Sequence, residues 1–158
     1  MNRTEGKSQY PGLLMLLLLA GILFSGCSTF HSRWRKEAAK PADASADITG
    51  RWEGTWLSSS NGHTGKLKCI VTQRSGDEYE FRYWATFWKL FSYSYAAEFK
   101  APRVNGVYTI QGEKDLGWWA GGVYRHQGTA SPTGMDSTYT SRYDSGHFQL
   151  KRPSTTAK

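Results

Sequence analysis

Residues 78–87, EYEFRYWATF, and residues 90–99, LFSYSYAAEF, alternate apolar with polar side chains. The apolar positions of an extended chain would share one side, namely Tyr79, Phe81, Tyr83, Ala85 and Phe87 in the first stretch and Phe91, Tyr93, Tyr95, Ala97 and Phe99 in the second. A period of two is typical of a β-strand that buries one face. The pair therefore predicts two neighbouring strands whose aromatic faces line a common core.

Six further segments of this kind flank the pair, and turn residues separate them. They are residues 50–58, 66–73, 107–112, 118–130, 135–143 and 147–153. Eight consecutive strands with short connections favour an all-β fold, an antiparallel up-and-down barrel, because closure removes unpaired strand edges. Gly121 and Gly122 would mark a corner of this barrel. A two-layer β-sandwich is the alternative.

The first predicted strand, GRWEGTWLS, places Trp52, Gly54 and Trp56 on one face, and we expect Trp52 to anchor the core. Gly50-Arg51-Trp52 resembles the GxW motif that opens lipocalin-like and avidin-like barrels, in which the Trp closes one barrel end. This resemblance covers three residues and implies no ligand. The strings GRWEGTW and DLGWWAGGVY are similar to those of uncharacterised small bacterial exported proteins, which implies no activity.

The N-terminal run LLMLLLLAGILFSGC, residues 13–27, follows Arg3 and Lys7. Its apolar part has the length of a signal peptide and is shorter than the roughly 20 residues that a spanning helix needs. Ser25-Gly26-Cys27 resembles the lipobox of bacterial lipoproteins, with Phe24 where that family prefers Leu. The resemblance implies cleavage before Cys27 and lipidation of that residue. An ordinary secretory signal is the alternative.

These observations divide the chain into four parts: a signal peptide (1–26), a lipidated flexible tether (27–47), a β-barrel domain (48–153) and a disordered tail (154–158). In the tether, RWRKEAAK (residues 33–40) favours a solvated linker, with a helical turn or two as the alternative. Trp34 among basic residues also suits a membrane interface. Removing residues 1–26 takes away two positive charges and one negative charge, which lowers the net charge from +7 to +6. Anionic lipid headgroups are natural partners of such a chain, whereas nucleic acid is not expected.

The expected location is the bacterial cell envelope, with the domain exported from the cytoplasm and held at a membrane by lipid. Ser28 stands where an inner-membrane retention signal would place Asp, so by resemblance the destination is the outer membrane in a two-membrane cell.

The sequence carries no enzyme motif that we recognise, and neither a cofactor nor a metal is expected. Cys69 shares the inward face of the alternating stretch KLKCIVTQ with Leu67 and Val71, and it is predicted to be a buried, inert thiol. His63, His126 and His147 are expected to be solvated. Asp136, Asp144 and His147 would converge at one barrel end only if the last turn brings them together, and Asp144 is predicted to cap that turn, with Gly146 at positive φ.

The aromatic content, 15%, carries the remaining functional information. Most rings must fill the core, but four tryptophans are candidates for a ligand-binding surface: Trp84, Trp88, Trp118 and Trp119. The leading hypothesis is a non-enzymatic barrel that binds a small amphiphilic or apolar ligand in its mouth. The alternative is a filled barrel that serves as a structural or protein-interaction module. A hydrolase is a third, weaker hypothesis.

Overall fold

The computed structural model describes residues 29–40, 47–88 and 91–154. Within these residues the chain forms nine strands: β1 (Gly50–Ser58), β2 (Thr64–Ser75), β3 (Glu78–Phe87), β4 (Phe91–Lys100), β5 (Arg103–Val104), β6 (Val107–Asp115), β7 (Val123–Ala130), β8 (Gly134–Thr140) and β9 (Ser145–Lys151). Helix α1 comprises residues 29–38, and a 3-10 turn at Trp118–Ala120 lies between β6 and β7. No helix in the described ranges is long and apolar enough to cross a membrane.

Eight of these strands close into an antiparallel barrel. Each pairs with its neighbour along the chain, β9 pairs with β1, and β4 pairs with β6. The short β5 is an additional strand on the edge of β6. The predicted barrel is confirmed, and the sandwich alternative is wrong because the sheet has no second layer. The β4–β6 junction is the loosest, with one ladder pair in the described residues, Lys100 opposite Gln111.

The interior is built from the residues that the period of two places inward. Trp52, Phe81 and Cys69 are fully buried, and Tyr83 and Leu67 are 1% exposed. The predicted inward faces of β1, β2 and β3 are therefore confirmed. On β4 the prediction holds for Ala97 and Phe99 but is wrong for Phe91, which is 63% exposed because it lies at the end of the strand.

Glycines on inward positions let the strands bend tightly. A methyl group at Gly54 would overlap the carbonyl oxygen of Gln149 on β9, so only glycine fits where β1 and β9 approach. The expectation that Gly121 and Gly122 bend a strand is wrong. Both precede β7, at φ 99° and 76°, and they complete the loop that follows the 3-10 turn.

The two barrel ends differ. The antiparallel order places the β1–β2, β3–β4, β6–β7 and β8–β9 connections at one end, here called the rim end. At the opposite end, the plug end, β1 begins and β9 finishes. There the Arg152 guanidinium lies 4.0 Å from the centre of the Trp52 ring. It also donates hydrogen bonds to the carbonyl oxygens of Asp47 (2.8 Å), Thr49 (2.7 Å) and Pro132 (2.9 Å).

The expectation of a flexible tether is corrected in its first half, because residues 29–38 form α1 and α1 packs on the outside of the barrel. Phe30, 1% exposed, stacks on Trp84 of β3 with ring centroids 6.3 Å apart. Trp34 is also buried and lies against Ile70 in the same cluster. The membrane-interface role considered for Trp34 does not fit this burial. The predicted signal peptide and Cys27 lie outside the described residues, as does the tail beyond Ser154.

Candidate functional site: the aromatic rim and the buried histidine

Four exposed aromatic side chains stand at the rim end of the barrel. Trp118 is 89% exposed, Trp88 70%, Tyr143 67% and Phe91 63%. They come from three connections that are consecutive around the barrel, β3–β4, β6–β7 and β8–β9. We call these four residues the aromatic rim. Two of them, Trp88 and Trp118, were predicted as binding residues from the sequence.

The loop that carries Trp118 is tightly hydrogen-bonded. The Gly117 amide donates to Oδ1 of Asp115 (2.8 Å), and the Gly122 amide donates to the Gly117 carbonyl (2.9 Å). The Leu116 amide donates to the Gly122 carbonyl across the base of the loop (3.0 Å). Such a network fixes the backbone, so Trp118 is held outward by a structured loop. The backbone of Trp119 lies in the same turn.

Trp88 occupies the left-handed region at φ 48°, which non-glycine residues seldom adopt. Its ring meets Phe91 edge to face at 6.5 Å and His63 of the β1–β2 connection at 5.9 Å. The strained turn therefore presents the indole beyond the end of the barrel wall, where it has two aromatic neighbours. Strained backbone is often found where a side chain must be held in a functional position.

Trp84 does not belong to this group. It lies on the outer face of β3 beneath α1, between Phe30 and His31, whose ring centroid is 5.2 Å away. The Lys68 ammonium is 5.9 Å from its ring. Its indole nitrogen is buried and has no hydrogen-bond partner in the described residues. Of the predicted tryptophans, Trp84 thus belongs to a helix-docking surface, whereas Trp88 and Trp118 belong to the rim.

Sequence reasoning missed two members of the rim. The alternation assigned Phe91 to the core, and Tyr143 was assigned to a strand that in fact ends at Thr140. For Tyr143 the sequence does carry a turn signal, since Ser141 and Asp144 flank it. In the structure these two residues close the turn, and the Ser141 amide donates to the Asp144 carbonyl at 2.7 Å. Both errors concern strand ends, which a period of two does not locate.

His126 lies inside the barrel, so its predicted solvated position is wrong. It is 1% exposed, and four aromatic rings surround it, with centroids at 4.9 Å (Phe99), 5.6 Å (Phe148), 6.1 Å (Tyr83) and 6.4 Å (Tyr139). Neither ring nitrogen has a hydrogen-bond partner in the described residues. Burial in this apolar environment lowers the pKa of His126 to about 4. The imidazole is therefore neutral at physiological pH.

Cys69 is fully buried in the same interior, as predicted. Burial raises the pKa of its thiol well above the ordinary value. A thiol that stays protonated is a poor nucleophile, which fits a packing role.

Asp144 stabilises the barrel wall through hydrogen bonds to two strands. Ser58 Oγ donates to Asp144 Oδ1 (2.6 Å), and the Tyr139 hydroxyl donates to Oδ2 (2.9 Å), so the carboxylate joins β1 to β8. The turn itself is capped by Ser141, whose Oγ accepts from the Asp144 amide (3.1 Å). Gly146 lies within β9 and does not have a positive φ. The predicted cap by Asp144 and the predicted positive φ of Gly146 are therefore both wrong.

Asp136 and His147 lie on the outer face of β8 and β9 and line an open groove of about 200 Å³. Polar side chains of three strands form this groove: Gln127, Thr129, Asp136, Thr138, His147 and Gln149. Asp144 is not among them, so the three residues do not converge as a group. In the described ranges, no set of three or more His, Cys, Asp or Glu residues could hold a metal ion.

Comparisons with protein-family models, with curated proteins and with solved structures each returned no match.

Proposed function

We propose that this chain is an exported, lipid-anchored envelope protein without enzymatic activity, whose filled β-barrel serves as a structural or protein-interaction module. The observation that carries the proposal is the aromatic packing around His126. A small eight-stranded barrel either fills with side chains or leaves space for one ligand. Here four aromatic rings surround His126 inside the barrel, which supports a filled interior.

The centroid distances around His126, 4.9 to 6.4 Å, are those of rings in direct contact. Trp52 fills the plug end, and Trp56 with Phe87, 4.9 Å apart, fills the opposite part of the interior. Ala85 and Ala97, the small residues that would leave space in a ligand carrier, are 8% and 2% exposed. This packing favours the interaction module over the ligand carrier.

The lipid anchor is supported by the signal peptide and by Ser25-Gly26-Cys27. The described part of α1 starts at residue 29, two residues after Cys27. A lipid on Cys27 would therefore be joined to the barrel by a very short connection.

The anchor is tested by expressing the full chain in a bacterial host that is fed labelled palmitate. We expect label in the wild-type chain and in Cys69→Ser, and no label in Cys27→Ser, which should leave the membrane fraction. Cys69 is the matched control because it is the other cysteine of the sequence. Equal membrane retention of an unlabelled Cys27→Ser chain would contradict the lipid anchor.

The filled interior is tested with the released Cys27→Ser chain and a panel of fatty acids, phospholipids and a naphthalene sulfonate dye. We expect no saturable one-to-one binding. Saturable binding that Ala85→Trp abolishes would contradict the interaction module and support the ligand carrier.

A further inference from the structure

The exposed apolar side chains of the described residues are unevenly distributed between the two barrel ends. Eight large ones are exposed by more than a third, and six of them lie at the rim end: Leu57, Trp88, Phe91, Trp118, Val123 and Tyr143. The other two, Val104 and Val107, lie at the plug end. Single exposed apolar residues are ordinary on a protein surface, but a cluster at one end indicates an interaction surface.

The position of α1 brings this end close to the anchor. Cys27 is two residues from the first helical residue, at most about 7 Å of chain. Phe30, in the first turn of α1, stacks on Trp84. Trp84 precedes Trp88 by four positions along β3 and its turn, a distance of about 13 Å. A lipid on Cys27 would thus hold the rim near the membrane surface.

The chemistry of the rim fits a lipid interface. Trp and Tyr favour the headgroup region, since one part of each side chain is apolar and another part is polar. Arg142 lies 5.3 Å from the Tyr143 ring, and Lys66 is exposed at the same end of β2. Positive charge beside aromatic rings is favourable at anionic lipid surfaces. The four rings come from three connections at the same barrel end, so they can meet the headgroup region together.

We propose that the aromatic rim enters the headgroup region of the membrane that holds Cys27, so that the barrel stands on its rim end and exposes its plug end. This inference rests on the proposed lipid anchor. It assigns the rim to lipid, which leaves the outer barrel wall and the plug end for a protein partner.

The test uses the full lipidated chain reconstituted in phosphatidylcholine–phosphatidylglycerol vesicles with brominated or ordinary acyl chains. Bromine quenches tryptophan emission on contact. We expect quenching in the wild type and at least a twofold smaller quenched fraction in Trp88→Phe/Trp118→Phe. The matched control is Trp34→Phe/Trp84→Phe, which makes the same change beneath α1 and should retain the wild-type quenched signal. Absence of quenching in the wild type, or equal quenching in the rim variant, would overturn the proposal.

A second measurement separates this inference from the anchor. The intact mass of the purified chain shows whether Cys27 carries lipid. An unmodified mass would reject the lipid anchor but not the contact of the rim with the membrane. The Cys27→Ser chain, purified without residues 1–26, is then floated with anionic vesicles. We expect weak binding that falls at least fivefold in Trp88→Ser/Trp118→Ser and is unchanged in Val104→Ser/Val107→Ser at the plug end. Equal binding of both variants would contradict rim insertion.

Discussion

The guanidinium of Arg152 lies 4.0 Å from the centre of the Trp52 ring, and this contact joins the end of the last barrel strand to the beginning of the first. Trp52 is fully buried, and its indole nitrogen donates to the Ile48 carbonyl (2.9 Å). The two residues seal the plug end at the place where β1 and β9 meet. The contact therefore joins residues 100 positions apart in sequence.

Arg152→Ala should lower the free energy of unfolding by about 2 kcal/mol, because the carbonyl oxygens that it binds lose a charged donor. Arg152→Lys should recover less than half, since an ammonium cannot reproduce the planar array of donors. Urea unfolding measures both. Arg142→Ala, which removes an exposed arginine from the rim end, is the control and should change stability by less than about 0.5 kcal/mol.

Trp52→Ala should cost about 3 to 5 kcal/mol, because it empties a fully buried position in the barrel. Trp118→Ala, the same change at an 89% exposed position, should leave the unfolding midpoint nearly unchanged. Equal midpoints for the two variants would show that Trp52 does not anchor the core.

Acid should destabilise the protein through His126. Its pKa is about 4 in the folded chain and near 6.5 in the unfolded chain, so the unfolded chain binds the proton first as the pH falls. Stability is therefore fully present above pH 6.5 and falls towards pH 4, by about 3 kcal/mol in total. His126→Phe should flatten this part of the pH profile, whereas His147→Phe on the exposed face should not. If the stability of both variants depends on pH in the same way, His126 is not the cause of the acid destabilisation.

Phe30→Ala should detach α1 without unfolding the barrel. A ten-residue helix is marginal on its own in water, so its stability depends on the contact with Trp84 and Ile70. Hydrogen exchange of residues 29–38 should become fast while β2 and β3 stay protected. Loss of protection in both strands would show that α1 is an integral part of the barrel core.

The barrel and its inward residues were predictable, because strand periodicity reports directly which face is buried. Trp52, Cys69 and Tyr83 followed from alternation alone. His126 was predictable in principle, since it has the same parity as buried Ala130 on β7, but a histidine is usually assigned to solvent. Its burial depends on rings from β3, β4, β8 and β9, which no local pattern brings together.

The rim and α1 were predictable only in part. Trp88 and Trp118 were identified as exposed candidates, but Phe91 and Tyr143 depend on where each strand ends. The short segment of α1 has too little periodicity to predict a docked helix, and Phe30 and Trp34 are buried because tertiary packing on Ile70 and Trp84 stabilises it. The helix propensity of residues 29–38 does not predict that contact.

The stability of Ala97→Phe decides whether the barrel interior is filled, as we propose. Ala97 is 2% exposed and lies opposite Phe81 in the β3–β4 pair, so an added ring has no space and should lower the free energy of unfolding by about 1 to 3 kcal/mol. The control is Ala96→Phe, the same change at the neighbouring position on the outer face, where we expect less than about 0.5 kcal/mol. If Ala97→Phe is as stable as the wild type or more stable, the barrel contains open space and the proposed filled interior is wrong.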